Sequence, residues 1–142
     1  VEKALKEIDR NAPIQEKFKL IYVQVLSNRA LTCYNLKEIS ESLNDCNKAL
    51  SVDPKHEKCL YRRALCNMTE AQKQTSAESQ LETYELAAKD FETVVKINNS
   101  NQDVKDKLAD LKRTIVQLKL KSKDAESKST GQTENDSKEQ KA

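Results

Sequence analysis

Val23 to His56 reads VQVLSNRALTCYNLKEISESLNDCNKALSVDPKH. Two apolar series run through it, Leu26, Ala30, Cys33 and Ile39, Leu43, Cys46, Leu50, and each keeps helical spacing. Placing Pro54 at position 32 of a 34-residue helix-turn-helix unit puts Val23 at position 1. Ala30, Ser42 and Ala49 then fall at positions 8, 20 and 27, where small side chains let two helices cross closely. Asp53-Pro54 reads as the start of the next helix, Asp capping and Pro first, with His56 a loop residue without a partner.

A second unit starts at Glu57, with Leu60 and Ala64 at positions 4 and 8. Its second helix, Tyr84, Ala87, Ala88, Phe91, Val94, Val95, fits once 11 residues are inserted after Met68. Upstream, Val1-Glu2-Lys3-Ala4-Leu5 resembles the end of a preceding second helix and again leaves 11 extra residues before Val23. Eleven residues make about three helical turns, so an insertion of that length extends a helix without rotating its buried face. Ile14, Phe18, Ile21 and Val25 support this for the first insertion. For the second, Thr75-x-x-Glu78 and Ser79-x-x-Glu82 read as capping boxes, predicting a new helix near residue 76 or 80.

Val104, Leu108, Leu111, Ile115 and Leu118 predict one further amphipathic helix that caps the last repeat. Leu20 to Leu26 is rich in β-formers, but it lacks flanking turn signals and a partner strand, and it reads as helix. The predicted fold is an all-α helix-turn-helix solenoid over residues 1–120. It divides into a remnant of a first repeat (1–12), a complete repeat (23–56), a repeat with an insertion (57–100) and a capping helix (101–120). Residues 121–142 hold six Ser or Thr, five bases, five acids and two Ala, too little apolar surface to offset ordering, and are expected to be a disordered tail.

Composition agrees with a helical domain: of 142 residues 37% are hydrophobic and 34% charged, with one Gly and two Pro. Mean hydropathy of −0.83 and the lack of a long apolar run exclude a membrane span, and no secretory leader is read. A start at Val1 leads us to expect a piece of a longer protein. Net charge of +2 gives no general attraction to nucleic acid or membranes. Four Cys without a CxxC pair and a single His give no zinc spacing, so reduced thiols in a cytoplasmic protein are expected. Cys33 and Cys46 sit at packing positions, and Cys59 and Cys66 share a helix face without a neighbouring base. No catalytic His and no Gly-rich phosphate loop are read, so neither enzymatic chemistry nor a cofactor is expected.

Leu26-Ser27-Asn28-Arg29-Ala30 and Lys58-Cys59-Leu60-Tyr61-Arg62-Arg63-Ala64 resemble the tetratricopeptide-repeat family over roughly residues 1–120. The closer resemblance is to its co-chaperone members, the large immunophilins and the heat-shock organising protein. That resemblance implies a two-carboxylate clamp for the C-terminal EEVD of heat-shock proteins 90 and 70. Asn28 matches position 6 of the clamp's second repeat, and Lys58 and Arg62 match positions 2 and 6 of its third; the first pair falls upstream of Val1. Lys58 and Arg62 lie four apart on one helix face and offer charge-assisted hydrogen bonds to paired carboxylates. Leu31 lies near where an apolar peptide residue would sit, and with Gln24 completes the peptide-binding set Gln24, Asn28, Leu31, Lys58 and Arg62.

The expected function is therefore a co-chaperone interaction module. The alternatives are a general scaffold for another peptide or helix, or the adaptor of a prolyl isomerase whose catalytic domain lies upstream. Loss of part of the first repeat exposes apolar surface, so helix swapping or oligomerisation is expected.

Overall fold

The computed structural model describes residues 12–139, with side chains described from 13 to 127. The expected remnant at residues 1–12 lies outside the described residues except for Ala12. Five helices follow one another: α1 (Ala12–Asn35), α2 (Ile39–Val52), α3 (Glu57–Lys73), α4 (Ala77–Ile97) and α5 (Gln102–Glu139). Among the described residues there is no strand, and Leu20 to Leu26 lies inside α1. Each helix packs on the next, and α1 also touches α3, the arrangement of two stacked helical hairpins closed by α5.

The small residues act as their positions predicted. Ala30, Ala49, Ala64 and Ala87 are fully buried, and Ser42 spans the α1–α2 crossing by donating to the Ala30 carbonyl at 2.7 Å. Around them Leu26, Leu50, Leu60, Tyr84, Phe91 and Val94 form the core. Val104, Leu111 and Ile115 of α5 are buried against it, with Leu108 and Leu118 half-buried beside them. Burying a side chain of that size contributes about 1.5–3 kcal/mol, so α5 is integral to the fold.

Both insertions lengthen helices. The first makes α1 a single 24-residue helix, but its row Ile14, Phe18, Ile21 and Val25 is exposed and does not continue the buried face of Val23, Leu26 and Ala30. The second extends α3 to Lys73 and starts α4 at Ala77, with Ser76 at the N-cap position but no side-chain capping bond, so neither expected capping box forms. Thr83 instead donates to the Ser79 carbonyl at 2.8 Å and to Gln74 at 3.1 Å.

Two local expectations are corrected. The helix after Asp53-Pro54 starts at Glu57, and its N-cap is His56, whose Nδ1 accepts the Cys59 N–H at 3.3 Å. His56 thus has a partner; the Asp53 carbonyl accepts the His56 N–H at 3.2 Å and closes the turn before it. At the other boundary α5 continues past residue 120, where a disordered tail was expected to begin, to Glu139. Residues 119–127 are almost all exposed, so it is the packing that stops near Leu118. The stretch Lys121 to Thr130 has neither Gly nor Pro to end a helix that is already nucleated.

Paired ionic contacts tie each hairpin together. Arg29 of α1 makes a bidentate contact with Asp45 of α2, its Nε at 2.7 Å from Oδ2. Arg63 of α3 repeats this with Asp90 of α4, at 2.7 and 2.8 Å. The arginines are one 34-residue repeat apart, and the aspartates a repeat plus the insertion. Both aspartates are buried.

Cys46, Cys59 and Cys66 are fully buried, while Cys33 is half-buried rather than enclosed. Burial raises all four thiols above their ordinary pKa, Cys46 to about 12. A raised folded pKa adds stability that is complete below the unfolded thiol value and is lost as pH climbs through the folded one, so alkaline unfolding should set in above about pH 9. In folded protein at pH 8 an alkylating reagent should label Cys33 first and reach the other three only on denaturation. Peptide mass spectrometry that found Cys46 labelled as fast as Cys33 would contradict the buried placement.

Candidate peptide-binding site

α1 and α3 lie against each other. On α1, Gln24, Asn28 and Leu31 recur at helical spacing; on α3, Lys58 and Arg62 do the same. The structure brings all five to two adjoining clefts. The first, of about 440 Å³, is bordered by Gln24, Asn28 and Lys58, with Ser27, His56 and Asp53 beside them. The second, of about 400 Å³, is bordered by Leu31, Lys58 and Arg62, with Tyr34, Tyr61 and Leu65 as its apolar and aromatic wall. Glu57 and Lys58 border both.

The two cations differ in freedom. Lys58 is exposed and makes no ion pair with any described residue. Arg62 is half-buried, and its Nη1 donates to both the Ser27 carbonyl and the Ser27 hydroxyl, the latter at 2.6 Å. This holds the guanidinium against α1 and leaves its remaining N–H groups for a ligand. Asn28 and Gln24 are exposed, with side-chain amides that can donate or accept.

Several bordering groups were not anticipated. Ser27 positions Arg62. Glu57 accepts the amides of Asn98 at 3.2 Å and Asn101 at 3.5 Å, which links the groove to the turn before α5. Tyr61 packs against Phe91 in a tilted ring pair with centroids 5.9 Å apart, and donates to Asp103 at 3.3 Å. Burial, with Asp103 adding to it, raises the Tyr61 phenol pKa, so it remains a neutral donor. The only sequence trace of this aromatic wall was Tyr61 one turn from Lys58.

A stack of helical hairpins with clefts along one side defines a helical repeat solenoid. Residues 23–56 are a tetratricopeptide repeat, matched by the family model of that description, and the chain has the fold of proteins built from such repeats. Its relatives include the DnaJ homolog subfamily C member 7 homolog of Dictyostelium discoideum, 32% identical over 75% of this chain and 16% of that protein. FK506-binding protein 59 of Drosophila melanogaster is 29% identical over 76% of this chain and 22% of its own length. The chain thus spans about a fifth or less of these relatives. Among solved structures, the first TPR of Spaghetti (RPAP3), bound to the HSP90 peptide SRMEEVD, has the same fold. Its TM-score is 0.55 and its identity 22%, with 66% of each chain covered. Among the described residues no helix is long and apolar enough to cross a membrane.

Proposed function

We propose that this chain is the peptide-binding module of a cytoplasmic co-chaperone, holding the acidic C-terminal EEVD of heat-shock protein 90 or 70 in a two-carboxylate clamp. One observation carries the reading: Lys58 borders two adjoining clefts, one shared with Asn28 and the other with Arg62, and its ammonium makes no ion pair with any described residue. A terminal carboxylate and a neighbouring Asp side chain match two cations and an amide donor. The likeness to a repeat domain bound to SRMEEVD supports the same reading. The module itself is an interaction surface and is not catalytic. A prolyl isomerase domain elsewhere in a longer protein is a separate proposal, supported by the likeness to FK506-binding protein 59.

The test is titration of a labelled EEVD-ending peptide into the full-length protein, with the same peptide amidated at its C-terminus as the control. Micromolar binding that disappears on amidation and weakens with salt is the expected result. Binding indifferent to the amide would favour the second reading, a general peptide scaffold. That reading draws support from the tie between Arg62 and Ser27, which gives Arg62 a structural role of its own.

The same module is proposed to self-associate. Ile14, Phe18, Ile21 and Val25 form one exposed row on α1, each more than half exposed. A second copy laying its own α1 on this row would cover it. Sedimentation should then show a concentration-dependent dimer that Phe18→Glu/Ile21→Glu abolishes; a monomer at high concentration would remove the proposal.

A further inference from the structure

The groove does not stop at the two cations. On α3 the residues Lys58, Arg62, Leu65, Thr69 and Lys73 recur at intervals of four, three, four and four, which places them on one helical face. On α1 the facing row Gln24, Asn28 and Leu31 continues to Asn35 by the same intervals. Beyond the cleft of Leu31 and Arg62 lies a third, of about 410 Å³, bordered by Tyr34, Asn35, Lys37, Ile39, Thr69 and Lys73. It shares Tyr34 and Asn35 with the second cleft, as the second shares Lys58 with the first. From Lys58 to Lys73 a helix rises about 22 Å, which an extended peptide covers in about seven residues.

The character of this track changes along its length. Asn28, Lys58 and Arg62 occupy one end, the apolar wall of Leu31, Tyr34, Tyr61 and Leu65 the middle, and Lys37 with Lys73 the far end. Lys37 stands where glycine would be easier. It adopts a left-handed conformation, φ 65°, in the turn that ends α1, where Glu38 N–H returns to the Cys33 carbonyl at 2.8 Å and Lys37 N–H to that of Tyr34 at 3.0 Å. Lys37 makes no ion pair with any described residue. Lys73 has only Glu70 of its own helix, at 3.3 Å in an exposed pair of the weakly held kind.

We propose that Lys37 and Lys73 form a second anion-recognising station, which takes an acidic side chain five to seven residues upstream of the bound peptide's C-terminal carboxylate. The proposal rests on the clamp reading and extends it: the ligand is recognised by two separated negative charges with an apolar stretch between them. Charge complementarity carries the choice of an acidic residue, because both far-end side chains with formal charge bordering the third cleft are cations.

The experiment compares nine-residue peptides that share one EEVD ending and carry Glu or Gln at the fifth, sixth or seventh position upstream. Each is titrated into the wild-type protein and into Lys37→Gln/Lys73→Gln, with thermal melts confirming that the variant folds. At one of the three positions Glu should bind the wild type about threefold tighter than Gln, an advantage of the size exposed ion pairs reach. The variant should lose that advantage, and so should the wild type at high salt. A Glu-to-Gln ratio identical in both proteins at all three positions overturns the station. A five-residue EEVD-ending peptide separates the two ideas. If it binds and the ratio does not change, only the station fails; if it does not bind, the clamp fails and the station falls with it.

Discussion

Arg63→Met should lower the stability of the folded chain by about 3 kcal/mol and its melting temperature by about 10 °C. The Arg63 side chain, 29% exposed, spans the α3–α4 crossing and supplies both hydrogen bonds to Asp90, whose side chain is 7% exposed. It also donates to Asn47 of α2 at 3.1 Å, so one guanidinium joins three helices. The hydrogen bonds that Arg63 donates to Asp90 raise its pKa, so the cation persists at any working pH. Removing it strands a carboxylate in an apolar crossing, which is far costlier than losing a surface pair. Urea and thermal melts measure the loss. Arg63→Met/Asp90→Leu should regain most of it, because a well-packed apolar pair replaces a buried ion pair at little net cost. A single variant as stable as the wild type would show that Asp90 keeps enough water to stand alone.

The second large effect concerns the groove. Lys58→Ala/Arg62→Ala should weaken an EEVD-ending peptide roughly a hundredfold, since each cation offers a charge-assisted hydrogen bond to a carboxylate. The two single variants should differ in kind. Lys58 makes no ion pair with any described residue, so Lys58→Ala should lose affinity with an unchanged melting temperature. Arg62→Ala also removes the partner of Ser27, which is 2% exposed, and an unsatisfied buried acceptor costs about 1–3 kcal/mol. It should therefore lose both affinity and stability. Arg62→Lys should recover little, because a point charge cannot reproduce a fork that serves Ser27 and a ligand together. Equal affinities for the wild type and Lys58→Ala would exclude the clamp.

Much of this arrangement was legible in the chain itself. The row Val104, Leu108, Leu111, Ile115, Leu118 announced α5, and the small residues Ala30, Ser42 and Ala49 announced a close helix crossing. Asn28 and Arg62 lie one 34-residue repeat apart, and positions one repeat apart face the same way in a stack; Lys58, one turn before Arg62, shares that face. The end of α5 was not legible: a polar stretch without Pro and with one Gly, Gly131, says little about whether a helix already begun will stop. Nor was the start of α3, where Asp53-Pro54 competes with His56 and only the backbone's path through the turn selects the cap.

The sequence by itself determined the repeat over residues 23–56 and the faces that α2, α3, α4 and α5 bury, but not the start of α1, where Ile14, Phe18, Ile21 and Val25 stay exposed. The repeat and those buried faces are local properties, set by a period of 3.6 residues acting on neighbours a turn apart. Only the tertiary structure decided what each arginine does. Arg62 and Arg63 are adjacent and chemically identical, yet one turns to Ser27 and the groove while the other turns inward to Asp90. Successive residues on a helix point about 100° apart, and which direction meets a carboxylate depends on how a helix 27 residues further along crosses it. That distance between the partners, bridged by an insertion of irregular length, carries no periodic signal, so the division of labour between the two side chains arises only when the helices stack.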